Sequence, residues 1–403
     1  MSVLYISYDG MMEPLGQSQV LGYLEHLAVG RQIHLISFEK ADDWLNLDER
    51  KRIAERIATC GIVWHPLRYH KQPTTLATAF DIACGTGVGL WLVLRHRLRI
   101  VHARSYVPSV MALAIKSLTG VRFIFDMRGF WADEKVEGGS WRKSSRLYPV
   151  AKWFERYFLT RADVVVSLTH AGVAAMRDFT YLLGHPQRFE VISTCTDLGK
   201  FRPIYSGPQE KGGGIQPFVL GCVGSVGLWY LFDRMLECFK ILCQMRPNSR
   251  LLILNRDNHT YIRERLGALE IADCLVEIKS VAFTDVAEEM SKMDAGIFFI
   301  KPVFSKTGSA PTKLGEFLAC GIPCLANAGV GDYEKILEGD IVGVVLHDFT
   351  VQEKEKGVRR LLELVADPEV NKRCVESANS HFSLEKGVKS YDRIYRSLIE
   401  SKL

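Results

Sequence analysis

Residues 308–332 read GSAPTKLGEFLACGIPCLANAGVGD, a loop, a short helix, a buried strand and a glycine loop in succession. Ser309 and Pro311 mark a helix start, and Gly321 followed by Pro323 marks a stop. Between them Leu314, Phe317 and Leu318 fall on one helical face and belong in a core, while Lys313, Glu316 and Cys320 share a neighbouring stripe that would look into a cleft. The amides around Gly308, Ser309 and Ala310 would sit at the positive end of the helix dipole, with Lys301, Lys306 and Lys313 nearby. Such an arrangement suits an anion such as a diphosphate. Glu316, two turns in, would then take hydroxyl groups of whatever carries the phosphates. A capped surface helix with solvated lysines is the competing reading, and the ordered strand and helix context favours the site.

Working outward, the first half alternates apolar strand-like runs with helical patterns: Val3–Tyr8, Ile33–Phe38, Ile62–Leu67, Ile100–Ala103, Phe123–Asp126, Val164–Leu168 and Glu190–Ser193. This implies βαβ units and a parallel sheet, whose ligands lie beyond the carboxyl ends of the strands. Residues 202–217 carry three prolines and the run Gly212-Gly213-Gly214, an interdomain linker by composition. A second alternation follows at Phe218–Val223, Leu251–Asn255, Leu275–Ile278, Ala295–Ile300, Cys324–Asn327 and Val342–Leu346. The expected architecture is α/β, with two Rossmann-like domains facing one cleft: residues 1–202, a linker at 203–217, and residues 218–380. The tail, 381–403, is helical in pattern without a partner strand.

A chain of 403 residues with 47% hydrophobic content can bury a core in each of two domains, which excludes global disorder. The formal charge of +5 is spread out and accompanied by no nucleic-acid motif, so no nucleic-acid partner is expected. Ten cysteines lie singly in apolar runs, without metal-ligand spacing. They read as buried free thiols in a reducing compartment. Met1 leads at once into a strand, which reads against a signal peptide and for the cytoplasm. The stretch Thr74–Leu94 is long enough to span a membrane, but Asp81 within it makes a buried or interfacial helix the better reading. Residues 141–161 mix Arg142, Lys143, Arg146, Lys152, Arg156 and Arg161 with Trp153, Phe154, Tyr157 and Phe158. This basic amphipathic pattern suits either a domain helix or peripheral contact with an anionic membrane.

Other candidates for chemistry sit at strand ends. Beyond the first strand, Gly16 and Gln17 open a helix after a loop that begins at Tyr8. His102 and Arg104 end one strand; Asp126, Arg128, Asp133 and Glu134 follow the next, around Phe130 and Trp131. A buried histidine or a structural ion-pair network competes with a catalytic reading of both sets. In the second half, Gly224 and Ser225 follow a strand at a place suited to phosphate binding by backbone amides.

The string Glu316, Ala319-Cys320-Gly321-Ile322-Pro323 and the loop with Gly329, Gly331 and Glu334 resemble the donor-binding segment of the GT-B glycosyltransferases of the retaining family 4. The resemblance implies that Glu316 holds the ribose of a nucleotide. Gly308 stands where the family has a first glutamate that orients the donor sugar, and Arg128 stands where many members have a histidine near the reacting sugar. By the same resemblance Gly16 and Gln17 touch donor phosphate or acceptor. The loop at Gly224 lacks the family's arginine and lysine clamp, and Arg256, Lys301 and Lys306 are nominated in its place.

The resemblance implies a GT-B fold whose C-terminal helix crosses back to the first domain. It also implies sugar transfer from a nucleotide-diphosphate sugar to a hydroxyl of a glycan or lipid-linked acceptor, in envelope polysaccharide or glycolipid assembly, with no cofactor and no metal. The expected catalytic set is His102, Asp126, Arg128 and Glu134. The donor set is Gly16, Gln17, Gly224, Ser225, Arg256, Lys301, Lys306, Ser309, Lys313 and Glu316. A nucleotide-sugar epimerase, another enzyme on this fold, or a non-catalytic partner subunit are the alternatives.

Overall fold

Runs such as Val164–Val166 and Phe123–Phe125 are buried on both faces, as a parallel sheet covered by helices requires. The computed structural model describes residues 2–204, 217–282 and 284–400. It divides into two units, Met1–Ser193 with Leu384–Leu403, and Thr194–Ser383.

In the first unit the strands are β1 (Ser2–Ser7), β2 (Gln32–Glu39), β3 (Ile62–Arg68), β4 (Ile100–Arg104), β5 (Arg122–Met127), β6 (Val164–Ser167) and β7 (Phe189–Val191). All pair in parallel, in the order β3-β2-β1-β4-β5-β6-β7, with Val3 opposite both Ile33 and Ile100. In the second unit β8 (Phe218–Val223), β9 (Ser249–Leu254), β10 (Val276–Lys279), β11 (Ala295–Ile297), β12 (Cys324–Asn327) and β13 (Gly343–Leu346) form a parallel sheet of order β10-β9-β8-β11-β12-β13. Each order reverses once, between β1 and β4 and between β8 and β11, and such switch points open a crevice at the carboxyl ends of the strands.

Three local readings need correction. The strand expected at Ala295–Ile300 stops at Ile297, because Ile300 leaves the ladder and exchanges two hydrogen bonds with the Asn327 side chain (2.8 and 2.9 Å). The helix expected from Ser309 opens at Thr312, after a 3₁₀ turn at Phe304–Gly308. Pro311 holds the N-cap position extended (φ −69°, ψ 126°), and a proline also disfavours helical geometry in the residue before it. After β1, helical turns begin earlier than Gln17, at Pro14, whose fixed φ suits the first helical position.

The linker expected at 203–217 falls almost wholly on residues 205–216, outside the described residues. The C-terminal helix Leu384–Glu400 packs in the first unit on the helix Gly22–Leu27, burying Tyr391, Ile394, Tyr395 and Leu398. Tyr391 meets Tyr23 edge to face at 5.6 Å. All ten cysteines are free thiols, and burial pushes Cys320 up to about 12. The helix Thr74–His96 is long and apolar enough to cross a membrane by length and composition, and it packs along the helix Tyr106–Thr119.

Candidate functional site

At the switch point of the second sheet, β8 runs into a loop that takes left-handed backbone at Gly224 (φ 87°), Gly227 (φ 82°) and Leu228 (φ 46°). Glycine meets that demand without strain, whereas Leu228 does not, and such strain persists only where the surroundings enforce it. Gly224 is fixed from β9: its N–H donates to Leu254 O (2.8 Å) and its carbonyl accepts from Asn255 Nδ2 (3.0 Å). A side chain at Gly224 would stand 3.5 Å from Lys313 Nζ, so the ammonium lies against this glycine loop. Ser225, the next residue, is exposed.

Two cations are seated on the aromatic pair of the same loop. Lys313 Nζ lies 3.9 Å from the Tyr230 ring centroid and Lys306 Nζ lies 3.9 Å from that of Trp229; both lysines are buried. The aromatic faces hold the two ammonium groups in place, since a ring face attracts a cation without carrying a formal charge of its own. Among the described residues Lys313 makes no ion pair with a carboxylate. Lys301 is exposed, and its amide donates to Trp229 O (2.9 Å). Arg256 follows Asn255 on the same lip with its guanidinium in solvent, 4.0 Å from Asp257.

Glu316 sits one turn after Lys313 on the helix Thr312–Ala319. Burial raises its carboxyl to about 7, against the opposing pull of Lys313 and Lys200. Among the described residues its carboxylate has no hydrogen-bond or ion-pair partner. A half-buried carboxyl with no internal partner is costly to the fold alone, and a ligand hydroxyl would satisfy it. Ser309 lies in the turn before this helix, and no side chain caps the helix start. The structure thus brings Gly224, Lys306 and Lys313 to one lip with Glu316 beside Lys313, and leaves Lys301 and Arg256 at its exposed margin.

In the first unit the expected catalytic residues are placed otherwise. His102 and Asp126 are each 1% exposed, sealed beneath the C-terminal helix. His102 Nδ1 lies 2.7 Å from the Tyr395 hydroxyl, and the Tyr391 hydroxyl donates to Asp126 Oδ2 (3.2 Å). Burial alone would raise the Asp126 carboxyl, but Arg128, His102 and Arg104 outweigh it and hold it far below the carboxylate range. Burial also lowers the His102 imidazole. Both side chains thus lie in a buried hydrogen-bonded network, an arrangement that favours the structural reading of the pair over the catalytic one. Arg128, half-buried, reaches Asp126 Oδ1 at 3.7 Å. Asp133 belongs to a different network, accepting from Tyr148 (2.8 Å) and Lys152 (2.9 Å), so the charged run 126–134 is split in two. Glu134 lies in the first turn of the helix Trp131–Glu137.

Gly16 and Gln17 also have structural employment. A side chain at Gly16 would strike Gly10 O at 2.0 Å, so glycine is needed for chain contact. The Gln17 amide donates to Met12 O (3.3 Å) and Glu49 (3.2 Å). The amides of Met11 and Met12, which a ligand at this loop would want, donate to the buried Glu39 carboxylate (2.9 and 3.3 Å).

A constellation absent from the sequence reading lies at the carboxyl ends of β1 and β3. Asp81, buried on the helix Thr74–His96, accepts from the Tyr8 hydroxyl (2.8 Å), the His70 amide (3.1 Å) and His70 Nδ1 (2.5 Å). Donation from Nδ1 leaves Nε2 as the acceptor of a partly exposed imidazole. The signal in the sequence was the lone carboxylate in an apolar helix, which needs partners; nothing local names them. Elsewhere Glu334, Glu338 and His347 place ligand atoms within 4.8 Å of one another on the surface, with Glu338 also 3.8 Å from Arg360.

Residues 28–194 match the model of the glycosyl transferase 4-like domain, and residues 209–381 match that of the glycosyl transferases group 1. Sequence comparison with curated proteins finds no match. Among solved structures, sucrose-phosphate synthase from Thermosynechococcus elongatus is similar over 100% of both chains, with a TM-score of 0.70 at 14% identity. The Anabaena protein HepE, solved with UDP and glucose, gives 0.65 at 13% identity over 98% of this chain and 99% of its own. The lipopolysaccharide glycosyltransferase WaaG gives 0.67 at 16% identity over 97% and 99%. The structural likenesses carry the fold, the two domain models carry the family, and the chain belongs to the group 1 glycosyltransferases of the GT-B fold.

Proposed function

We propose that the enzyme transfers a sugar, with retention, from a UDP- or GDP-sugar to a hydroxyl of a glycan or lipid-linked acceptor on the cytoplasmic side of a membrane. The observation that carries the donor half is the lip of the second unit, where Lys313 lies against the Gly224 loop one helical turn from the unpartnered carboxyl of Glu316. HepE, a structural neighbour, binds UDP and glucose, which supports a nucleotide-sugar donor. The diphosphate would meet the ammonium groups of Lys313 and Lys306 and the glycine-loop amides, and Glu316 would accept from ribose hydroxyls.

The bond between the anomeric carbon and the phosphate oxygen breaks, the acceptor oxygen bonds to that carbon, and the hydroxyl proton passes to a phosphate oxygen of the departing nucleotide. Preorganised cations stabilise the leaving diphosphate without a metal, and no protein nucleophile is required. In the first unit, His70, held by the Asp81 carboxylate that also accepts from Tyr8, is suited to accept a hydrogen bond from a non-reacting hydroxyl of the acceptor.

Calorimetric titration with UDP and with GDP tests the donor site. Binding of one of them by the wild type, weakened at least about tenfold in Glu316→Ala, is expected for loss of charge-assisted hydrogen bonds. Unchanged affinity in the variant sinks the role of Glu316. Incubation with UDP-sugars alone separates the epimerase: release of an isomer without acceptor would favour it.

A further inference from the structure

The helix Thr74–His96 is apolar on the side it shows to water. Its inner face fits the protein closely: side chains at Gly85 and Gly89 would strike Met111 Sδ at 2.5 Å and Ile115 Cδ1 at 2.7 Å. Its outer face, at spacings of three and four, is Leu76, Phe80, Ala83, Gly87, Trp91 and Leu94, all exposed. Leu76, Phe80, Trp91 and Leu94 are 70%, 56%, 58% and 64% exposed. A helix apolar all round is ordinarily covered on every side. Large side chains in such a row are a contiguous patch, and contiguous patches mark interaction sites.

The charge around the patch says what covers it. From residue 71 to 99 the one acidic side chain, Asp81, is buried, while Lys71, Arg95, Arg97 and Arg99 are exposed at the two ends of the helix. The helix Leu147–Arg161 is reached through the helix Tyr106–Thr119, and the three connect successive strands β3 to β6 on one face of the sheet. Its exposed apolar residues are Leu147, Val150 and Trp153. The run 138–153 has no acidic residue, and Arg142, Lys143 and Arg146 are exposed. Apolar side chains with tryptophan, rimmed by cations and free of exposed acids, match the boundary of an anionic bilayer.

We propose that the solvent face of the helix Thr74–His96, extended by Leu147, Val150 and Trp153, docks the enzyme on anionic phospholipid, lying in the interface. It does not span, because its inner face is tied into the unit by the Asp81 hydrogen bonds and the glycine contacts. This deepens the reading of a lipid-linked acceptor, which it rests on only for its purpose. The docking helix also carries Asp81, so the His70 imidazole would sit close to the lipid surface.

The test is flotation of the full chain with vesicles of phosphatidylglycerol and phosphatidylcholine, and with phosphatidylcholine alone. Preferential binding to the anionic vesicles is expected, falling steeply with added salt. Phe80→Glu with Trp91→Glu should lower partition at least about tenfold, and Arg95→Glu with Arg97→Glu should do likewise, each Lys or Arg contributing about fivefold. These side chains are exposed, so the melting temperature should hold and separate lost docking from lost folding. No binding to either vesicle, or equal binding by wild type and Phe80→Glu/Trp91→Glu, overturns the proposal. So does a wild-type dimer, seen by sedimentation equilibrium, that the same substitutions dissociate, since a second copy would then cover the face. The assay reads partition and not transfer, so its failure leaves the donor and acceptor reading standing.

Discussion

His102 Nδ1 lies 2.7 Å from the hydroxyl of Tyr395, a residue 293 positions later in the chain. The contact joins the end of β4 to the C-terminal helix and leaves neither side chain in solvent. Tyr395→Phe and His102→Asn are therefore expected to cost about 1 to 3 kcal/mol in denaturant unfolding, the cost of orphaning a buried polar group. Turnover per folded molecule should change little. Intact stability with lost turnover would return His102 to the catalytic set.

Lys313→Met keeps an apolar stem against Tyr230 and deletes the charge. UDP affinity is expected to fall about tenfold or more, since a positioned ammonium beside a diphosphate contributes at least 1.5 kcal/mol. Lys301→Ala, at the exposed margin, should have a smaller and more salt-sensitive effect. Equal losses at both positions, measured by titration calorimetry, would contradict the ranking.

Glu316 gives a pH signature. Its folded carboxyl titrates near 7 because burial disfavours the charge, above its ordinary value of 4.5. The folded state therefore binds the extra proton between those two values. The stability this contributes is present below pH 4.5 and is lost as pH rises through about 7. Binding runs the other way: an ionised carboxylate can accept from two ribose hydroxyls, so UDP affinity should climb as pH rises through 7. Glu316→Gln should flatten both profiles, and a variant with the wild-type pH dependence would refute the assignment.

A second pH effect belongs to the first unit. His34 is buried in β2 with Nδ1 3.0 Å from His65 Nε2 and its ring 4.4 Å from that of His96. Burial, then His96 and His65, lower it from 6.5 to about 4. The unfolded chain binds the proton first, so stability is full above pH 6.5 and declines as pH falls toward 4, by at most about 1.4 kcal/mol per pH unit for this one group. Thermal melts at stepped pH should show a shallower decline for His34→Leu, and parallel curves would count against it.

His70→Asn retains a donor for Asp81 and removes the outward Nε2. The expected result, once an acceptor is in hand, is a raised acceptor KM with unchanged nucleotide affinity. Asp81→Ala should instead lower the melting temperature, because it strands the Tyr8 hydroxyl and two His70 donors. A shift in nucleotide affinity for His70→Asn would place its effect elsewhere.

Apolar runs located the thirteen strands found among the described residues, most plainly the central ones such as Phe123–Phe125 and Val164–Val166, because a buried parallel strand must be apolar on both faces whatever surrounds it. The same local logic placed Lys313, Glu316 and the glycine loop at Gly224, each set by one turn or one helix. Tertiary structure decided what the remaining polar residues do, since a partner distant in sequence leaves no periodic trace. Only the fold shows that Tyr391 and Tyr395 claim Asp126 and His102, that Glu39 takes the amides of Met11 and Met12, and that Asp81 gathers Tyr8 and His70. The apolar outer row of the helix Thr74–His96 belongs to the same class: composition makes the helix hydrophobic, and packing alone selects which face is left to the solvent.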